Sequence, residues 1–584
     1  MIKVLGYLKK IKSTAIMAMV FVCLAQLTTL LLPYLMSLLI NNGIGNTDMD
    51  YIKTIGIAMI CASAGNIVVC GFSSYFTSKT ATDFSKIVRR DVFVNVESLS
   101  QMDIEKIGTP SLITRCTNDI KVMQDFILQS LRMIISAPIM LLGGSIMAFF
   151  LDPGLSVIIF AIFPVVGIIL IIVVKTVLPL FKKRQLLTDD MNRTVREKLA
   201  GIRVIKAFNT SDYEDERFEV KSKNLSDIVL KFTRIMAVLL PICLMLVISG
   251  LVALILIASN DIEALDYIAD AVEISTAIGD LQAFVIYMIM IIFAVTMAAA
   301  MFVIVPRAKI SAVRIAEVLE LENSIKEPEN PETISGTKKG EVEFKNVCFG
   351  YPDAQKDVLE NISFTAKSGE VTAIIGGTGS GKSTIVNLIP RFYDVTAGQI
   401  LFDGVDVRNL AGDDLHSRIG FVLQKACLFS GTIKDNLLFA DENASDERLE
   451  KALEIAQCSE FVNSLEDGLN ARVSQNATTF SGGQKQRLSI ARALSRDAEV
   501  FIFDDSFSAL DFKTDLKLRT AIRQNIDATV IIVAQRVGTI IDADKIIVLD
   551  EGKMVGSGTH KELLETCSVY SEIVRSQLSR EDIA

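Results

Sequence analysis

Histidine is almost missing from this 584-residue chain: His416 and His560 are the only two, and they lie far apart in sequence. A metal centre built on clustered imidazoles is thereby excluded. Cysteine shows no pairing rhythm. Of the nine, Cys23, Cys61, Cys70 and Cys243 lie in apolar runs, while Cys116, Cys348, Cys427, Cys458 and Cys567 lie in segments read below as cytosolic. Scattered thiols of this kind suit reduced side chains rather than a disulfide framework. Positive charge is not in excess either. The net charge of −9 leaves no basic face for nucleic acid. Nor does the start read as a cleavable leader. Lys3, Lys9, Lys10 and Lys12 precede an apolar run, but that run, Thr14 to Ile40, is too long for a signal peptide and lacks a small-residue cleavage pattern.

What the chain has in quantity is apolar side chains: 50% of residues, with a mean hydropathy of +0.42. That is too apolar for an ordinary soluble protein. The excess lies almost entirely before Pro306, and the remainder has the composition of a globular domain. A chain this long is expected to hold more than one domain.

Six apolar stretches are long enough to cross a bilayer core, which takes roughly 20 helical residues. They are Ala15–Ile40, Ile55–Phe76, Leu131–Leu151, Leu155–Leu178, Ile235–Ser259 and Ile278–Val305. Backbone groups cannot stay unpaired in lipid, so helices are expected. Asp152-Pro153-Gly154 splits the third stretch from the fourth as a tight turn. Lysine and arginine set the orientation. Lys86, Arg89, Arg90, Lys106 and Arg115 follow the second stretch; Lys182, Lys183, Arg184, Arg193, Arg196, Lys198 and Arg203 follow the fourth. The opposite loops, Asn41–Asp50 and Asn260–Ser275, are acidic, the latter through Asp261, Glu263, Asp266, Asp270 and Glu273. The positive-inside rule places both termini in the cytosol of a multi-pass protein of the cell membrane. The two long cytosolic segments carry helical periodicity, as in Met191–Phe208.

Pro328, Asn330, Pro331 and Gly336 mark a polar linker. The expected division is 1–322 for the membrane domain, 323–339 for the linker and 340–584 for a second domain. There Val371–Ile375, Ile419–Leu423, Val500–Phe503 and Thr529–Val533 read as buried strands of an α/β fold.

Gly376-Gly377-Thr378-Gly379-Ser380-Gly381-Lys382-Ser383 fits the phosphate-loop pattern G-x-x-x-x-G-K-[ST], between a strand and the helix Thr384–Leu388. Glycines let successive N–H groups curl around phosphates, and the helix N-terminus adds its dipole. Lys382 is expected at the β- and γ-phosphates and Ser383 on Mg²⁺, so ATP and Mg²⁺ are the expected ligands. Asp504 ends the apolar strand Val500–Phe503, at the crevice where a metal would sit.

Phe480-Ser481-Gly482-Gly483-Gln484-Lys485-Gln486-Arg487 closely resembles the signature sequence of ABC transporters. With Gln424 and Ser508-Ala509-Leu510-Asp511, the chain resembles an exporter-type half-transporter of that superfamily over essentially its whole length. The resemblance implies six transmembrane helices fused to an α/β P-loop cassette, and two cassettes pairing head to tail. Nucleotide then lies between one cassette's P-loop and the other's signature. It further implies that Ser481, Gly482, Gly483 and Gln484 grip a γ-phosphate on the partner. Tyr351 matches the aromatic that stacks on adenine, Thr384 joins the ATP-binding residues, Gln424 links Mg²⁺ to the membrane-domain contact, and Asp511 crosses the dimer interface. The regions Gly108–Asp119 and Gly201–Phe218 resemble coupling helices.

Three positions depart from the family pattern. Asp505 stands where a glutamate acts as general base, Gln535 where a histidine acts as switch, and Gln475 where a glutamate precedes the signature. Aspartate withdraws the carboxylate by about 1.5 Å, one C–C bond, and a misplaced base can forfeit much of its ~10²–10⁴-fold contribution. Glutamine carries no titratable proton. The resemblance is therefore to the degenerate-site subunit of a heterodimeric bacterial multidrug exporter, with the catalytic positions Asp504, Asp505 and Gln535 forming a slow site. A homodimer with two slow sites is the alternative. A small amphipathic or apolar substrate is expected, and membrane lipid as a surrounding partner, with lipid or peptide export and an ATP-gated regulator or channel as the other readings. Gln26, Asn66, Asp280 and Gln282 either line the path or bond helix to helix.

Overall fold

The computed structural model describes residues 1–263, 271–334, 339–351, 354 and 356–577. It divides into two compact units: Met1–Ser98 with Gly108–Leu321, and Leu99–Ile107 with Glu322–Ala584.

Helices make up the first unit. In chain order the chain runs through α1 (Lys12–Leu38), α2 (Met49–Ser98), α3 (Gln101–Ile107), α4 (Ile120–Leu151), α5 (Pro153–Ala200), α6 (Ile202–Ala207), α7 (Ser211–Glu263) and α8 (Ala271–Glu320). All but α3 belong to this unit. Among the described residues, four stretches are long and apolar enough to cross a membrane: Ile2–Ile44, Met49–Ser98, Thr109–Leu151 and Ile274–Ala298. The expected spans Leu155–Leu178 and Ile235–Ser259 fall on α5 and α7. The 50 residues of α2 measure about 75 Å at 1.5 Å per residue, against roughly 30 Å of hydrocarbon. Much of α2 therefore lies beyond the apolar core, where the basic residues fall. Asp152 caps α5 by accepting from the N–H groups of Gly154 and Leu155, which makes the tight turn between α4 and α5. Helix α7 runs on to Glu263 and α8 starts at Ala271, so the acidic segment Asn260–Ser275 is helical at both ends; 264–270, with Asp266 and Asp270, lie outside the described residues.

Two of the polar residues in the apolar stretches bond helix to helix. Asn66 accepts from Thr28 (3.1 Å) and donates to Thr29 (3.2 Å), joining α2 to α1. Asp280 on α8 accepts from Ser37 (2.7 Å) and Asn41 (2.8 Å). Gln282 is exposed, and the Gln26 side-chain oxygen is buried without a partner. The stretch Met191–Phe208 is not one helix. It breaks at Gly201, leaving α6 as a separate short helix with Val204 and Phe208 exposed.

The second unit contains a six-stranded sheet and a four-stranded antiparallel one. Strands are β1 (Val342–Phe349), β2 (Leu359–Ala366), β3 (Val371–Gly376), β4 (Ala397–Phe402), β5 (Val405–Asp406), β6 (Ile419–Val422), β7 (Val500–Asp504), β8 (Thr529–Val533), β9 (Lys545–Asp550) and β10 (Lys553–Gly558). The large sheet has the order β10-β9-β3-β8-β7-β6, parallel except for the β10 edge, and the small one β2-β1-β4-β5. The four apolar runs read from the sequence are the four strands β3, β6, β7 and β8. Their near-continuous burial follows from lying in a parallel sheet covered on both faces.

One placement corrects the sequence reading. The segment that joins the second unit from between α2 and α4 is Leu99–Ile107, not Gly108–Asp119, which stays in the helical unit. The reason is local. Buried Asp103 accepts from Ser100 (2.7 Å) and from the Ser324 N–H (2.9 Å) and hydroxyl (3.0 Å), while Met102 packs into the core under the small sheet. Gly108, at φ +84°, ends the excursion in a backbone conformation that favours glycine. The stretch expected as a linker is packed over its described part: Glu327 accepts from the Gly412 N–H, and the Glu332 N–H donates to the Asn409 carbonyl.

Candidate functional site

Strand β3 lies between β9 and β8 in the large sheet, and the glycine loop leaves its C-terminal end. A Cβ at Gly376 would stand 2.2 Å from the Leu549 carbonyl oxygen; one at Gly381, where φ is +93°, would stand 2.6 Å from the Leu359 side chain. Nothing larger than hydrogen fits at either position. The loop feeds the helix Lys382–Leu388, α9, whose first turn presents N–H groups at the loop.

Lys382 is 8% exposed and donates to the carbonyls of Gly376 (3.0 Å) and Gly377 (2.7 Å). Burial lowers its pKa, opposed by the charges of Asp505 and Asp504. Ser383 donates to Asp504 at 2.9 Å. Ser380 is buried, and its hydroxyl has no hydrogen-bond partner among the described residues. Thr378 lies in the loop, and the Thr384 hydroxyl stands 3.4 Å from that of Tyr351. The Tyr351 ring packs edge-on against Phe349 (5.0 Å between centroids) and Tyr393 (5.5 Å).

Asp504 ends β7 and Asp505 follows it directly, and both are buried. Burial pushes both carboxyls up, and the charge of Asp505 adds to the rise at Asp504. Ser383 and Lys382 pull Asp504 down; Gln424, Lys382, Ser508 and Arg536 do the same for Asp505. Asp505 sits at φ +45°, with its N–H bonded to the Val533 carbonyl. One of its carboxylate oxygens, Oδ2, accepts from both Gln535 (2.8 Å) and Gln424 (3.2 Å). Gln535 is itself held at its backbone, where its carbonyl accepts from Gln577 (2.8 Å).

The phosphate loop, Asp504, Asp505, Gln424, Gln535 and Tyr351 thus form one connected neighbourhood. The signature residues do not join it. Ser481 caps the helix Gly482–Leu494, α10, in a capping box with Gln484: its hydroxyl accepts from the Gln484 N–H and its N–H donates to the Gln484 side chain. Gly483 lies against the Ala509 carbonyl, 3.5 Å from where its Cβ would be. Asp511 caps the helix Phe512–Asn525, α11, and the bond from the Thr514 N–H lowers its pKa. No hydrogen bond among the described residues links Ser481, Gly482, Gly483, Gln484 or Asp511 to the phosphate loop.

Family models place an ABC transporter transmembrane region at residues 15–264 and an ABC transporter domain at residues 359–508. The chain is 37% identical over 566 residues to an uncharacterised ABC transporter ATP-binding protein of Mycobacterium bovis, covering 96% of this chain and 95% of that one. It belongs to the ABC transporter family. The uncharacterised ABC transporter ATP-binding protein YfiB of Bacillus subtilis is 34% identical, with 99% of each chain covered. The ATP-dependent lipid A-core flippase of Vibrio parahaemolyticus is 30% identical over 98% of this chain and 96% of its own. A bacterial Atm1-family ABC exporter with ATP bound shares the fold, at a TM-score of 0.77 and 24% identity, covering 97% of this chain and 99% of that one.

This ABC transporter is a multi-pass membrane protein with an ATP-binding domain. With one membrane region and one cassette, it works as half of a dimer. Its residues fit the nucleotide and a magnesium ion. The loop supplies N–H groups, a buried lysine and an orphaned serine hydroxyl, and Ser383 with Asp504 supplies hard oxygens of the kind Mg²⁺ takes alongside phosphate. Among the described residues no three His, Cys, Asp or Glu side chains gather into a metal site. An ion held mainly by substrate phosphates does not need one.

Two features escaped the sequence reading. Tyr393, packed on Tyr351, carries no motif. The Asp103–Ser324 joint links residues 221 positions apart, which no local pattern reports.

Proposed function

We propose that this chain is the slow-site half of a heterodimeric ABC exporter that moves amphipathic or hydrophobic compounds across the cell membrane. The observation that carries this reading is the state of Asp505. A general base needs a free lone pair aimed at water. Here one carboxylate oxygen is already taken by two amide donors, Gln535 and Gln424. Neither amide can shuttle a proton. The pocket is equipped to bind nucleotide and poorly equipped to cleave it.

In this reading Tyr351 stacks on the adenine. Gly376, Thr378, Gly379, Ser380, Gly381, Lys382 and Thr384 hold the phosphates, while Ser383, Asp504 and Gln424 hold Mg²⁺. Magnesium, when bound, neutralises phosphate charge. The exposed cap formed by Ser481, Gly482, Gly483 and Gln484 serves the other pocket, whose phosphate loop, glutamate and histidine belong to a different subunit. A helix start with free N–H groups is an anion site, and the lack of any bond between this cap and the chain's own loop accords with service across an interface. Asp511 lies on the same crossing. Closure of the two cassettes on nucleotide shifts the membrane helices between populations, by as much as nucleotide prefers the closed form.

Lipid export is the second reading, favoured by three Vibrio relatives named lipid A-core flippases, at 30% to 31% identity. Purification from native membrane followed by mass spectrometry tests the heterodimer. A second, different half-transporter at one copy per copy of this chain is expected. Brisk hydrolysis and transport by the chain paired with itself would sink the asymmetric account.

A further inference from the structure

We propose that Tyr393 is a positioning residue that relays occupancy of the base site at Tyr351 to α3, the short helix the chain inserts into the cassette between two membrane helices. The inference rests on the reading of Tyr351 as the base-stacking residue. Tyr393 is 6% exposed, with its ring edge-on to Tyr351 at 5.5 Å and tilted against Phe349 at 5.6 Å. Its hydroxyl leaves this aromatic cluster and donates to Glu105 Oε1 at 3.1 Å; Gln101 donates to the same oxygen at 3.0 Å. An unbroken series of contacts therefore runs from Tyr351 through one ring and one hydrogen bond to the exposed side of α3.

The rest of α3 has other anchors. Asp103 is bonded to Ser100 and Ser324, and Met102 is packed into the core. Among the described residues, the Glu105 contact is the one that leads through Tyr393 to Tyr351. Packed aromatic rings have few alternative placements, so a base seated on Tyr351 constrains Tyr393 through their shared edge. Displacement of the Tyr393 hydroxyl then pulls on Glu105, less than one turn from Gly108, where the chain leaves for the helical unit. Burial, and then the Glu105 carboxylate, push the Tyr393 hydroxyl up, so it stays a donor throughout the physiological range. The ring alone fills its place in the core. Among the described residues, the hydroxyl donates to Glu105.

The chain contains no tryptophan, so Lys106→Trp at an exposed site on α3 is a clean reporter. Its emission is read in the full dimeric assembly in lipid nanodiscs during a Mg-ATP titration, against the same assembly without the reporter. We expect an ATP-dependent change that Tyr393→Phe reduces about tenfold, the equilibrium shift one charge-assisted hydrogen bond supports. ATP half-saturation should stay within about twofold, because ring packing is kept. Glu105→Ala should match Tyr393→Phe, the pair combined should be no worse than either, and Glu105→Gln, which keeps an acceptor oxygen, should retain the signal. The relay is overturned by a reporter that ignores ATP, by full amplitude in Tyr393→Phe, by equal loss in Glu105→Gln and Glu105→Ala, or by ATP affinity falling in step with amplitude. Tyr351→Ala separates the underlying reading: unchanged half-saturation there removes the base site itself, whatever Tyr393→Phe does.

Discussion

Restoring the family's catalytic pair in this chain, Asp505→Glu with Gln535→His, should yield little. A glutamate at 505 carries its carboxylate about 1.5 Å further out. Asp505 Oδ2 is already 2.8 Å from the Gln535 amide and 3.2 Å from that of Gln424. The longer side chain cannot extend without displacing both, and a hydrogen bond to a charged group is worth about 1.5–3 kcal/mol. Gln535→His clears one obstruction and leaves Gln424. The backbone at 505 must also keep φ at +45°, which aspartate tolerates better than most residues. In the heterodimer proposed above, the other half of the pocket would be the partner's signature, which neither substitution changes. We therefore expect turnover at this site to rise by less than about tenfold, well short of the ~10²–10⁴ that a well-placed base supplies. The assay is phosphate release from the purified assembly; where mass spectrometry finds the proposed second subunit, its catalytic glutamate is replaced by glutamine so that only this pocket reports. A gain of about a hundredfold or more would refute the reasoning, because it would mean a competent signature faces this pocket, as in a homodimer.

Three other expectations follow from single side chains. Tyr351→Ala should weaken ATP binding about three- to tenfold, the range of one stacking contact, by fluorescent-nucleotide displacement. Asp505→Asn should stabilise the nucleotide-free protein at neutral pH. Burial raises the folded pKa of Asp505 above its ordinary value, so its contribution is present below that ordinary value and is lost as pH rises through the folded one. The melting advantage of Asp505→Asn should therefore shrink on acidification; an advantage independent of pH would contradict the shift. Asp103→Ala removes the acceptor for Ser100 and both Ser324 donors. It should cost about 2–4 kcal/mol by denaturant titration of the cassette transition, whereas Asp103→Asn, which keeps an acceptor, should recover part of it.

Much of the site was legible before any coordinates. Gly376 through Ser383 obey a spacing that phosphate geometry imposes locally, so strand, loop and helix follow in order. The runs that became β3, β6, β7 and β8 are apolar and β-branched because parallel strands are buried on both faces. Hydropathy located the apolar helices for the same kind of reason: lipid penalises each unpaired backbone group wherever it lies. Residues 99–107, rather than the resemblance region Gly108–Asp119, join the second unit because their packing depends on Ser324, which hydropathy and local spacing do not connect to Asp103. Apolar periodicity over Met191–Phe208 is blind to the break at Gly201.

By itself the chemistry of the sequence determined that this chain spans a membrane, carries a phosphate-binding loop and a helix-capping signature, and has Asp505 and Gln535 where the pattern it resembles has glutamate and histidine. Those are properties of residue type at short spacing, where backbone geometry leaves few choices. Tertiary structure alone decided that Gln424 and Gln535 converge on one oxygen of Asp505, that Asn66 and Asp280 are spent on neighbouring helices, and that Tyr393 reaches Glu105. Each of these joins residues dozens to hundreds of positions apart, and only the packing of strands and helices sets which of many chemically possible partners is near.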